Sequence, residues 1–125
     1  MMAPPAARRI DRGSALGARP VRLTAVAAVE RDNGGLLVTV RQPRPSWQRW
    51  LGGSEQFERA YGLDQLGREV YDACDGRTTV RAMVGRFARA HGIGRAEAEM
   101  AVTTFLKTMV ARGMVAMAVS REKGR

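Results

Sequence analysis

The sequence predicts an α+β fold in which a β-hairpin and a third short strand precede three helices, and three observations carry that reading. Two apolar runs flank Asp32-Asn33-Gly34-Gly35. Phe57, Arg59, Tyr61 and Leu63 alternate along one side of a strand. From Leu63 to Val115, apolar residues recur at helical spacing in three blocks, cut by Asp75-Gly76 and by Gly92-Ile93-Gly94. The two periods are distinct, because strand side chains repeat every second residue and helix side chains every third or fourth.

Taken in order, residues 1–20 are rich in Ala, Pro, Arg and Gly. Such a segment buries too little apolar surface to offset its ordering entropy, so a disordered basic tail is expected, with the fold starting near Val21. Leu23–Val29 and Leu36–Val40 form the arms of the hairpin, with Asn-Gly at its turn. Leu36, Val38 and Val40 share one face; Leu37 and Thr39 share the other. Pro43 and Pro45 stop the second arm, and an insertion of about residues 43–56 carries Trp47 and Trp50, either as a flap over one end of the core or as a partner contact. A third strand follows at about Glu58–Leu63.

Asp64 is the expected N-cap of the first helix, whose inner stripe is Leu63, Leu66, Gly67, Val70, Tyr71 and Cys74, with Gly76 as its left-handed stop. Thr78 or Thr79 caps the second helix, with the stripe Val80, Met83, Val84, Phe87 and Ala88. The third helix runs from about Arg95 to Arg112, with the stripe Ala98, Ala101, Val102, Phe105, Leu106 and Met109. Alternation at Met114, Val115, Met117 and Val119 suggests a terminal strand, and residues 120–125 form a basic C-terminal tail. A hairpin, a strand and three helices make a winged-helix-like domain over residues 21–119.

Composition narrows the function. The chain of 125 residues carries a net charge of +9. Residues 1–22 hold +4 of it and residues 120–125 hold +2, so the folded part is only weakly basic. One cysteine, Cys74, excludes an intrachain disulfide, and with one histidine, His91, it leaves too few soft ligands for a zinc site. Cys74 sits in an apolar stripe as a buried, inert thiol, and His91 closes a helix, where it favours the dipole. No phosphate loop, nucleophile elbow or metalloprotease motif occurs. The reading is therefore not an enzyme, with no catalytic residue, metal or cofactor. No run of apolar residues reaches the roughly 18 needed to span a membrane, and the N-terminal segment lacks the apolar core of a secretory signal, so a cytoplasmic location is expected.

Leu63-Asp64-Gln65-Leu66-Gly67, Val70-Tyr71-Asp72, Asp75-Gly76, Thr79-Val80, Phe105-Leu106-Lys107-Thr108-Met109 and Gly113-Met114-Val115 stand in a particular order and spacing. In these residues the chain resembles the bacterial PqqD family, also called the RiPP precursor peptide recognition element. RiPPs are ribosomally made, post-translationally modified peptides. The resemblance covers about half the chain closely and the hairpin loosely. It implies a peptide-binding module, or peptide chaperone, that captures a precursor or leader peptide and presents it to a modifying enzyme, such as a radical SAM protein. The peptide adds as a strand beside the third strand, against the third helix.

The residues support such a site on their own terms. A sheet edge exposes unpaired N–H and C=O groups that an extended peptide can pair with. The candidate strand residues are Arg59, Ala60, Tyr61, Gly62 and Leu63, and the facing helix flank is Glu97, Ala101, Thr104 and Thr108, small enough for a second backbone to approach. Tyr61→Pro is expected to weaken binding if that N–H points outward. Two other readings stay open: an adaptor subunit that holds a protein partner outside RiPP synthesis, and a winged-helix DNA-binding protein. The last is disfavoured by Arg95-Ala96-Glu97-Ala98-Glu99, whose glutamates would face phosphates. A monomer or weak dimer is expected.

Overall fold

The computed structural model describes residues 12–43 and 56–118. In chain order its elements are α1 (Arg12–Gly17), β1 (Arg19–Arg22), β2 (Ala27–Glu30), β3 (Leu36–Pro43), β4 (Gln56–Leu63), α2 (Gln65–Ala73), α3 (Val80–His91), α4 (Arg95–Ala111) and β5 (Val115–Ala118). They form an α+β fold with two antiparallel sheets, β2-β3-β4 and β1-β5. The three-stranded sheet stands ahead of the three long helices in a winged-helix-like arrangement.

The hairpin turn forms at Arg31–Gly35, where Gly34 takes the left-handed conformation at φ +86°. Asn33 contributes through its side chain instead: its Oδ1 accepts from the Gly35 N–H at 2.9 Å. The first arm is shorter than the apolar run suggests. Only Ala27–Glu30 is strand and all of it is exposed, while Leu23–Val26 links the two sheets. Leu36, Val38 and Val40 on β3 are buried as their alternation requires. The tryptophan-bearing insertion falls on residues 44–55, outside the described residues. Its ends are joined by the Pro43–Gln56 pair, so β3 and β4 continue pairing up to it.

Asp64 caps α2, its carboxylate accepting from the Gly67 N–H at 2.7 Å. The stripe Gly67, Val70 and Tyr71 is buried, as are Leu63 and Cys74 at the helix ends. Leu66 is the exception: it is 41% exposed, because it falls on the outer side of this short helix. The helix stop also differs from expectation. Gly76 is left-handed, at φ +78°, but the cap is Cys74, two residues earlier. Asp75 organises the turn instead, its Oδ1 accepting from the N–H groups of Arg77 and Thr78, each at 2.8 Å. Those bonds, the Arg77 one foremost, hold the Asp75 carboxyl below the usual carboxylate range.

Thr79 caps α3, accepting from the Ala82 N–H at 3.1 Å, and Val80, Met83, Val84 and Phe87 are buried. Gly92 closes α3 in the left-handed conformation and Gly94 is the N-cap of α4. On α4 the buried stripe is Ala98, Val102, Leu106 and Met109; Ala101 and Phe105 pack at its edge, half-exposed.

Order begins earlier than Val21. Residues 12–17 form α1 against α3, and Ala18 and Pro20 are buried. β1 pairs with β5 through Arg19↔Ala118, Pro20↔Met117, Val21↔Ala116 and Arg22↔Val115. The carbonyl of Ala18 accepts from the Val80 N–H at the start of α3, and the carbonyl of Pro20 accepts from Gly76 N–H. Two arginines counted as tail charge also serve the fold. Arg22 Nη1 donates to the carbonyls of Tyr71 and Asp72 at the end of α2, and Arg19 Nε donates to that of Arg77. Alternating polar residues and a proline hide this strand from composition-based reading, and its partner lies at the other end of the chain.

Deleting residues 1–20 therefore removes two buried residues and half of the β1–β5 ladder. Its melting temperature is expected to fall by about 5 °C or more, since about 1 kcal/mol shifts a domain of this size by several degrees. Differential scanning calorimetry against the full chain checks this, and an unchanged transition would return these residues to the tail.

Candidate functional site

The register determines which groups line the outer edge of β4. The Thr39 carbonyl accepts from Val26 N–H at 2.8 Å and the Gly35 carbonyl from Arg31 N–H at 3.1 Å, so odd-numbered residues of β3 turn their main chain to β2. Even-numbered residues of β3 then face β4. Their partners are Leu63 for Leu36, Tyr61 for Val38 and Arg59 for Val40. In an antiparallel ladder the neighbours of these pairs point the other way. Glu58, Ala60 and Gly62 consequently present N–H and C=O outward. Among the described strands β4 has one neighbour, β3. Leu63 and Tyr61 direct their side chains to the core face, where Leu63 is buried and Tyr61 half-buried, while Ala60 and Gly62 are exposed or nearly so.

The α4 flank approaches this strand at its C-terminal end. The Arg112 guanidinium lies 4.7 Å from the centroid of the Tyr61 ring, a cation–π contact worth about 0.5–1 kcal/mol at an accessible site. Gln42 Nε2 donates to the Arg112 carbonyl at 2.9 Å and to Tyr61 Oη at 3.4 Å, tying β3, β4 and the helix end together. One turn before Arg112 lies Thr108, exposed; a turn further back lies Thr104, also exposed. Phe105 sits on the same side against α2, since a Cβ placed on Gly67 would meet its ring at 3.3 Å. Ala101 packs at the core edge, and Glu97 is exposed near the start of the helix. From Glu97 to Thr108 the helix rises about 16 Å, close to the length of a five-residue strand.

The structure thus brings Tyr61 and Arg112, just past the end of α4, together. It separates the five strand residues into two sets: Ala60 and Gly62 offer main chain to the edge, while Arg59, Tyr61 and Leu63 turn theirs to β3. Arg112, Gln42 and Phe105 frame the site without having been singled out for it. Continuing the flank one more turn beyond Thr108 reaches Arg112, so that residue was available from spacing. Gln42 was not, because its reach depends on where the helix ends in space.

The chemistry of the rest of the surface is plain. Cys74 is fully buried, its Sγ donating to the Val70 carbonyl at 3.2 Å, and burial pushes its thiol up to about 12. His91 ends α3 as expected, but it engages Glu69 on α2 at 2.9 Å and packs tilted against Phe87 with ring centroids 4.4 Å apart. Among the described residues no cluster of His, Cys, Asp or Glu is arranged to hold a metal, and no helix is long and apolar enough to cross a membrane.

A family model described as coenzyme PQQ synthesis protein D (PqqD) matches residues 51–115, a segment that takes in β4 and all three long helices. No curated protein and no solved structure matches the chain.

The placement of Cys74 predicts that an aromatic disulfide reagent at pH 8 leaves the native thiol unmodified over the time in which the unfolded chain in guanidinium reacts fully. Fast native labelling would show that the helix end opens readily.

Proposed function

The chain belongs to the PqqD family, and on that premise we propose that it is a peptide-binding module of RiPP synthesis that captures a precursor or leader peptide by strand addition and presents it to a modifying enzyme, such as a radical SAM protein. The observation that carries the reading is the outer edge of β4. Main-chain groups of Glu58, Ala60 and Gly62 face outward there, and Thr104 and Thr108 of α4 are small and exposed. An extended peptide gains affinity from main-chain pairing along that edge, and its alternate side chains meet Thr108, Ala101 and the Tyr61–Arg112 pair. The module itself supplies no catalyst: its thiol is buried, and its histidine is committed to Glu69 and Phe87. Its contribution is to hold one reactant in place, which raises the local concentration of peptide at the partner enzyme.

The register sharpens the test. Ala60→Pro deletes an outward N–H and leaves the β3–β4 ladder's own donors in place, whereas Tyr61→Pro removes a donor that faces β3 and should destabilise the fold. Thr108→Trp fills the flank one turn from Arg112. Isothermal titration of the full chain with the synthetic leader segment of a short precursor encoded beside it is expected to show Ala60→Pro and Thr108→Trp each weakening binding about tenfold or more, a loss of about 1.4 kcal/mol, at unchanged melting temperature. Folded variants that bind as tightly as the parent would refute strand addition at this edge.

A further inference from the structure

Four exposed arginines stand on α3 and at the start of α4: Arg81, Arg86, Arg89 and Arg95. Two of them converge on one point. A Cβ placed on Gly85 would lie 3.6 Å from Nη1 of Arg89 and 3.6 Å from Nη1 of Arg95. Arg95 reaches back across the turn between the helices to get there, its Nη2 donating to the Arg81 carbonyl at 3.4 Å. Arg81, Gly85 and Arg89 follow at four-residue spacing, so they share one face of α3. The guanidiniums of Arg89 and Arg95 thus flank the same bare spot of helix, close enough for one carboxylate to accept from both.

The fold supplies no acid to this spot. Among the described residues the ion pairs engage Arg41, Arg68 and His91, and none includes Arg81, Arg86, Arg89 or Arg95. Like charges gain by spreading apart in water, yet these two meet over a position without a side chain. Packing does not demand glycine there. The atoms nearest the added Cβ are the far ends of two flexible side chains at ordinary contact distance, so alanine would fit, and glycine inside a helix costs stability relative to alanine. What glycine adds is access between the two cations.

We propose that Arg89 and Arg95 form a carboxylate-binding site over Gly85, through which the chain docks an acidic stretch of a protein partner. The planar fork of arginine matches a carboxylate, which can accept from both side chains at once. One exposed pair binds weakly, so the site acts as the centre of a wider contact in which Arg81 and Arg86 meet neighbouring carboxylates. The patch is compact: Arg81 to Arg89 spans about 12 Å of helix. A nucleic-acid backbone running past it would meet Glu97, exposed in the first turn of α4, whereas a carboxylate seated over Gly85 need not. The site shares no residue with the β4 edge and stands independently of strand addition.

Amide NMR of the isotopically labelled full chain, titrated with a capped hexaglutamate peptide at physiological ionic strength, tests this. Saturable shifts are expected at Gly85, Arg89 and Arg95. Arg89→Gln/Arg95→Gln should weaken binding about tenfold, while Arg8→Gln/Arg9→Gln, which removes the same charge from the N-terminal segment, should change it less than about twofold. Gly85→Glu supplies a carboxylate to the two guanidiniums from within the chain. It should abolish the peptide shifts without lowering the melting temperature, and Gly85→Ala, which adds no charge, should keep them. Shifts confined to the terminal segments would overturn the proposal, as would equal weakening by the two arginine pairs. So would a folded Gly85→Glu that binds as tightly as the parent, or a short mixed-sequence DNA duplex that binds these residues more tightly than the peptide does.

Discussion

Burial of one stripe of α4 organises the molecule. Ala98, Val102, Leu106 and Met109 are sealed, and through them α4 packs on α2, α3 and β5. Each large apolar side chain sealed in this way contributes roughly 1.5–3 kcal/mol, so the stripe sets the rotation of the helix firmly. Once that rotation is set, the flanks have no freedom left. Phe105 turns toward α2 and Arg112 toward Tyr61 of β4, while Glu99, Thr103 and Val110 line the cavity beside α1 and β5. A helix that looks evenly amphipathic in sequence becomes, once packed, an element with two chemically different sides.

A similar coupling operates in the sheet. Leu36, Val38 and Val40 have to face the core, and a slip of one residue would send all three to solvent. That demand fixes the pairing of β3 with β4, and the pairing in turn fixes which amides of β4 look outward. The apolar pattern on one strand therefore decides which main-chain groups its neighbour turns to its outer edge. Two of the residues that carry outward groups, Ala60 and Gly62, are small, and the Arg31 guanidinium lies against Gly62.

Positive charge is used in two ways. Arg22 and Arg19 spend their donors on carbonyls at the end of α2 and in the turn after it, where the helix would otherwise leave acceptors unsatisfied. Arg68 bridges sheet and helix through Glu30 at 3.1 Å and Asp72 at 3.5 Å. These are partly exposed pairs of small individual value, but they fix the seam between the hairpin and α2. A strong net charge here is thus partly structural and need not imply a polyanionic partner.

The sequence by itself determined the three long helices, the cap at Asp64, the choice of Thr78 or Thr79 as the next cap, the buried face of β3, and the third strand. Each of these rests on local capping chemistry or on a short period in the chain, and both are written in neighbouring residues. Their order also carried the family resemblance. The β1–β5 sheet, the outward set of main-chain groups on β4 and the Arg112–Tyr61 contact were decided only by tertiary structure. Arg19–Arg22 and Val115–Ala118 lie at opposite ends of the chain, and nothing local marks them as partners. Leu66 illustrates the same limit from the other side: its spacing fits the buried stripe of α2, yet the helix has no neighbour on that side to cover it. Periodicity states which residues can share a face; what meets that face is settled by the packing of segments distant in the chain.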